Sequence, residues 1–241
     1  MNISKALYEL REIDEIAERN TLIHKINPVI KILVTFIYII KVLLLKELSI
    51  YSLIGLILYP LLSILIGNIR LNIIFRKLIF ILPVILGMGM INLMIDFSYN
   101  QIINIILLIL KCILSATAGL ILIMVTGIYN LGCGLRKLRV PKLFVMQILM
   151  VYRYITVMIE QLYRIKCAYE LRTLSKRSME LKDYSIIIGQ MLLRTVDQSE
   201  KIYAAMKLRG FKGEYITGIE TRIRIVDWIY FFSWIIILYI I

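Results

Sequence analysis

Five apolar runs, at about 29–46, 48–66, 78–95, 102–128 and 226–241, leave this chain little choice of solvent. The first four approach or exceed the ~20 residues that an α-helix needs to cross a bilayer. The last is short, but Trp228 and Tyr230 stand where aromatic side chains anchor a span at the interface. Hydrophobic residues make up 60% of the sequence, more than one soluble core can absorb. In hydrocarbon every backbone N–H and C=O must find a partner within the protein, so runs of this length fold as helices. The expected fold is therefore an all-α integral membrane protein of about five transmembrane helices, with long amphipathic helices on the cytoplasmic side. Residues 1–25 begin it with a charged, helix-patterned segment. Five acidic residues there, and no early apolar core, argue against a cleaved signal peptide.

The positions of Lys and Arg set the expected topology. Residues 129–227 hold 18 of the 29 basic residues together with 9 acidic ones, and the N-terminal segment adds Lys5, Arg11, Arg19 and Lys25. Arg70, Arg76 and Lys77 cluster before the third run, whereas Asp96–Gln101 has no basic residue and Lys46 is alone in the first connection. The positive-inside tendency then puts the N-terminus, the second connection and the long basic block in the cytoplasm of a cell with this protein in its plasma membrane. Three regions follow: 1–128 with four spans, 129–225 as the cytoplasmic block, and 226–241 as the final span. The net charge of +13 is explained by these loops, and no recognition module points to nucleic acid.

Little in the sequence could do covalent chemistry. His24 is the one histidine, and Cys112, Cys133 and Cys167 lack the spacing of a metal site. With no Walker lysine loop, dinucleotide loop or nucleophile elbow, no catalytic residue, metal ligand or cofactor is assigned, and any ATP that drives this protein must be hydrolysed by another chain. Lys31, Lys41 and Lys111 fall inside expected spans, where a charge is costly. Lys31 and Lys41 are near helix ends and can snorkel, while Lys111 is deeper and has no visible carboxylate partner. Pro83 with Gly87 and Gly89 would bend the third span, and Ser115, Ala116, Ala118 and Gly119 form a small-residue patch suited to close packing.

The basic block reads as consecutive helices. One starts at Pro141, Ser175-Lys-Arg-Ser178 interrupts the pattern, and a second runs from about Tyr184 to Arg209 before stopping at Gly210. Each ends in a copy of one short pattern, Ala168-Tyr-Glu-Leu-Arg172-Thr and Ala205-Met-Lys-Leu-Arg209-Gly210, 37 positions apart. In both, Ala and Arg are four apart and share a helix face. The Ala methyl lets a partner surface approach, and the planar guanidinium offers up to five donors to carboxylates or carbonyls.

Arg139-Val-Pro-Lys142, Tyr152-Arg-Tyr-Ile155, Ala168-x-x-Leu-Arg172, Leu193-Arg-Thr195 and Ala205-Met-Lys-Leu-Arg-Gly-Phe211, in that order, resemble the transmembrane T component of energy-coupling factor transporters, the CbiQ/EcfT family. The resemblance covers about residues 12–240. It implies that the two helices are coupling helices seated in grooves of two ABC-type ATPase subunits, with Ala168 and Arg172 facing one and Ala205, Arg209 and Gly210 the other. It further implies that motion of the ATPases passes through these helices to a separate substrate-binding membrane S component. Thr173 stands where the family has Gly or Ser, which bears on the local bend and not on the arginine. Ile13-Asp14-Glu-Ile-Ala17, Leu22-Ile-His24, Asn27-Pro28-x-x-Lys31 and Leu192–Tyr203 resemble the cobalt-type CbiQ branch more than the shared vitamin module. A nickel-type equivalent, a vitamin module, a membrane-embedded enzyme and a scaffold are the alternatives.

Overall fold

The computed structural model describes residues 12, 14–17, 19, 21–45, 50–95, 99–172, 181–211, 213 and 224–240. Most of the expected N-terminal helical face, the Lys46-Glu47 connection, Asp96, Thr173 and the Ser175–Ser178 break lie outside them. Among the described residues the secondary structure is helical, with no strand. In chain order the helices are α1 (Pro28–Leu44), α2 (Ile50–Gly67), α3 (Leu71–Ile95), α4 (Tyr99–Thr126), α5 (Ile128–Lys137), α6 (Lys142–Arg172), α7 (Leu181–Leu208) and α8 (Ile225–Ile240). They fall into two compact units, one of Ile13–Leu138 with Ile219–Ile241 and one of Met1–Glu12 with Arg139–Gly218.

The first unit contains α1 to α5 and α8. Helix α1 is started by Asn27, whose side chain accepts from the Val29 N–H at 3.1 Å, with Pro28 in the first turn where a missing N–H costs nothing. Its buried stripe, Ile30, Val34, Tyr38 and Val42, packs with Leu56 and Tyr59 of α2, Leu114 and Ala118 of α4, and Trp234 and Leu238 of α8. Tyr38 stacks on Tyr59 with ring centroids 4.4 Å apart, and Tyr59 meets the Trp234 ring edge-on at 4.8 Å. Ala118 is fully buried here, while a Cβ on Gly119 would meet open space, so only part of the expected small-residue patch packs. Helix α3 begins seven residues earlier than the apolar run, taking Arg76 and Lys77 into its first two turns. Gly134 brings α5 close to α1: a Cβ there would lie 2.8 Å from the Ile32 side chain.

Pro60 shows how this core compensates for a helix defect. It lies inside α2 and has no N–H, so the carbonyl four residues back, Leu56, loses its helical donor. The Tyr38 hydroxyl donates to that carbonyl at 2.9 Å, in a buried position. Tyr38→Phe should therefore destabilise the protein by about 1–3 kcal/mol, the cost of an orphaned buried acceptor. In a Pro60→Ala background, where the helix supplies its own donor, the same change should cost much less. Thermal unfolding of the four proteins of this cycle checks it, and an equal Tyr38→Phe cost in both backgrounds would refute the link.

The outward faces of these helices are apolar. Phe80 of α3 is 80% exposed, and Phe36, Leu44, Leu65 and Phe75 are exposed as well, more large apolar side chains than a water-facing surface ordinarily shows. Among the described residues two helices, Asn104–Thr126 and Lys142–Arg172, are long and apolar enough to cross a membrane, and Leu53–Gly67 and Ile225–Leu238 are shorter apolar helices.

Candidate functional site

The second unit is built on α6 and α7, which form an antiparallel hairpin. Near the end of α6, the Tyr169 hydroxyl donates to the Asp183 carboxylate at the start of α7, 2.5 Å away. Midway, Thr195 donates to the Met158 sulfur at 3.3 Å, and the Gln161 and Gln198 amides meet at 2.5 Å. Toward the start of α6 and the end of α7 the helices part around a cavity of about 260 Å³ lined by Met146, Met150, Met158, Ile202, Tyr203 and Met206. Asp183, at the start of α7, lies beside Tyr169 near the end of α6, while Thr195 and Gln198 further along α7 lie beside Met158 and Gln161 further back in α6, which defines the antiparallel sense.

This geometry separates the two motif copies. Ala168 and Arg172 end α6 beside the start of α7, whereas Ala205, Arg209 and Gly210 close α7 beside the start of α6. At 1.5 Å per residue the 28-residue α7 puts them at opposite ends of a rod roughly 40 Å long. All five side chains or backbones are exposed. The stop at Gly210 is a Schellman motif: Phe211 N–H donates to the Met206 carbonyl at 3.0 Å and Gly210 N–H to the Lys207 carbonyl at 3.0 Å. Gly210 has φ of +78°, a conformation that explains why glycine stands there. Lys166 pairs with Glu170 at 3.5 Å, engaging the carboxylate next to the first motif's end. Among the described residues no hydrogen bond or ion pair engages the Arg172 or Arg209 guanidinium.

In the first unit the structure corrects the reading of the intramembrane lysines. Lys31 does not snorkel: it is 4% exposed and donates to the carbonyls of His24 at 3.2 Å and Val125 at 3.4 Å. Lys111 donates to the Leu43 carbonyl at 3.0 Å. Val125 and Leu43 are in the last turns of α4 and α1, whose final carbonyls have no helical donor and carry the negative end of the helix dipole. The two antiparallel helices are thus laced reciprocally, each by a lysine of the other.

Asp227 is the residue that sequence reasoning passed over. It is 3% exposed, and its two oxygens accept from different helix starts, the Asn27 N–H at 2.9 Å and the Arg224 N–H at 2.7 Å. It also supplies the countercharge that Lys31 feels. Its place three residues after Arg224, at the head of an apolar run, is the available signal, since a carboxylate at that position commonly closes back on the residue that caps the helix. His24, just ahead of α1, has its Nδ1 2.6 Å from the Thr21 hydroxyl. Burial, and then the Lys31 and Arg19 charges, hold its imidazole below the ordinary pKa against an opposing backbone hydrogen bond at Ile16. It is neutral at neutral pH. Among the described residues no group of three or more His, Cys, Asp or Glu is placed to hold a metal ion.

The family model of CbiQ, described as a cobalt transport protein, matches residues 19–219. A nickel permease, LarQ of Lactiplantibacillus plantarum, is 29% identical over 119 residues, which is 45% of this chain. That alignment spans 44% of the relative's own length. The family match runs through α1 to α4 and both motif copies, and the chain belongs to the CbiQ family.

Proposed function

We propose that this chain is the transmembrane coupling subunit of an ATP-driven importer for a divalent cobalt or nickel ion. Two ABC-type ATPase subunits dock on the cytoplasmic side, one at Ala168 and Arg172 and the other at Ala205, Arg209 and Gly210. When ATP draws the ATPases together, the rod between the motifs must follow, and its movement reaches a separate membrane S component that holds the cargo. The protein is multi-pass in the plasma membrane, with its hydrophilic block cytoplasmic, and it needs no cofactor of its own. The family description names cobalt and the relative's name nickel, which favours a metal cargo over a vitamin.

The observation that carries this reading is the pair of exposed guanidiniums, unengaged among the described residues, at the two ends of one antiparallel hairpin. Such a hairpin can serve two partners in one compartment only if it lies outside the hydrocarbon. Helix α6 alone has the length and apolarity of a span, but α7 packs along it carrying Lys182, Asp183, Arg194, Asp197, Glu200, Lys201 and Lys207. Burying those charges in lipid would cost about 2.5–3.5 kcal/mol for each one near the bilayer centre, so the hairpin stays at or beyond the membrane surface. Arg172→Cys and Arg209→Cys in otherwise cysteine-free protein test this. Both should react with an impermeant maleimide in inside-out vesicles and neither in intact cells. Labelling of the two positions from opposite sides would overturn the proposal.

A further inference from the structure

Among the described residues two that are not glycine have positive φ, Asn68 at +48° and Arg139 at +66°. A side chain with a Cβ is disfavoured there, and asparagine tolerates the conformation better than arginine does. Asn68 is also locked. It closes α2 with the pair of bonds that closes α7 at Gly210: Asn68 N–H donates to the Leu65 carbonyl at 3.3 Å and Ile69 N–H to the Ile64 carbonyl at 3.2 Å. At Arg139 the second of these bonds, from Val140 to Leu135, is not formed. The arginine is exposed, so burial does not hold its conformation either.

The chain on each side of this position is fixed. Gly127 N–H donates to the Ile123 carbonyl at 2.9 Å, and the Gly127 carbonyl accepts from Leu131 at 3.0 Å, which ties the start of α5 to α4. Gly134 sets α5 against Pro28 and Ile32 of α1, and Leu138 N–H donates to the Gly134 carbonyl at 3.1 Å. Helix α5 therefore moves with α1 and α4. Beyond the junction, the Pro141 carbonyl accepts from Phe144 at 3.0 Å and opens α6. Pro141 also disfavours the helical region for Val140, so α5 and α6 cannot fuse through the junction. Arg139 is left as the residue whose φ can turn, and at that residue the chain passes from the first compact unit to the second.

We propose that Arg139 is a strained pivot of the transport cycle, at positive φ in one state and relaxed to negative φ in the other, redirecting the chain where it enters α6. This rests on the coupling reading above and locates within it the bond that turns. A glycine would be equally at ease in both states. The Cβ of Arg139 makes one of them costly, so the strained state is ready to relax, and strain of this kind collects at switch positions.

The test uses the full-length chain in its complete transporter, reconstituted into liposomes, with cobalt uptake and phosphate release measured together. Arg139→Gly removes the strain and should raise the thermal midpoint of the isolated chain by about 2–4 °C. The ATPases should still co-purify and hydrolyse ATP at the parental rate. Cobalt taken up per ATP should fall about fivefold or more, the ratio that the penalty of one left-handed residue sets between two states. Arg139→Ala keeps the Cβ and the strain while losing the charge, and should match the parent in midpoint, hydrolysis and uptake. A glycine variant that couples like the parent, or an alanine variant that uncouples as far as the glycine one, would overturn the pivot. Arg172→Glu with Arg209→Glu separates the two readings. If that variant loses the ATPases while Arg139→Gly couples normally, only the pivot falls; if it keeps them and transports, the coupling reading falls as well.

Discussion

Arg172→Glu combined with Arg209→Glu is expected to abolish metal uptake while the chain still reaches the membrane. A charge-assisted contact contributes on the order of 1.5–3 kcal/mol, and reversal replaces it with repulsion against the same partner group. Truncating one member of a desolvated charge pair already costs about 2–5 kcal/mol, so reversal at both ends should lower affinity for the ATPases by at least about a thousandfold. Each single reversal should leave one ATPase bound and transport nearly lost, because a rod held at one end transmits little force. Arg→Lys at either site keeps the charge and loses the planar fork, and should fall between parent and reversal. Uptake of labelled cobalt and nickel, with ATPase co-purification from the same cells, reads the outcome. Transport at the parental rate by the double variant would refute the role given to both residues. These arginines are exposed, and among the described residues nothing engages their guanidiniums, so the loss would not be one of folding.

The second large effect is on stability. Asp227→Ala should destabilise the membrane unit by about 2–6 kcal/mol, because it leaves two backbone N–H donors without their acceptor at about 1–3 kcal/mol each. Three groups lose their acceptor or countercharge at once: the Asn27 N–H, the Arg224 N–H and buried Lys31. Asp227→Asn should fare only somewhat better, since the amide presents one acceptor where two N–H groups converge on two oxygens. Adding Lys31→Met to Asp227→Asn should recover part of the loss, because the stranded charge goes with it. Thermal unfolding in detergent measures the cycle, and an additive result would show that the two side chains do not depend on each other. Leu43 and Val125 set the context, for the same unit already uses Lys111 and Lys31 on their carbonyls to close helix ends.

How much of this was legible beforehand differs by kind of residue. The helices at 28–44, 50–67, 99–126 and 225–240 follow the apolar runs closely, since a bilayer-length run without charge has one way to satisfy its backbone. The helix starting at Leu71 was read late because Arg76 and Lys77 hid its first turns, although they lengthen it without breaking it. The short α5 was missed because Gly127, at φ of +71°, ends α4 within an otherwise uninterrupted pattern. Ala168, Arg172, Ala205, Arg209 and Gly210 were visible as a repeat, and the Gly210 stop was visible as a glycine at the end of a periodic segment. The meaning of Lys31 was not visible, because snorkelling and burial look the same until the acceptor carbonyls are known.

The sequence by itself determined the solvent, the helical class and the two motif-bearing helix ends, because hydropathy, charge placement and helix periodicity are properties of neighbours along the chain. Only the tertiary structure decided that Asp227 joins the starts of α1 and α8, that Lys31 and Lys111 lace α1 to α4, and that Tyr38 serves the carbonyl freed by Pro60. It also decided that the motifs stand at opposite ends of one hairpin. These are pairings between residues up to 200 positions apart, and a polar group in an apolar interior takes whichever partner the packing brings within reach.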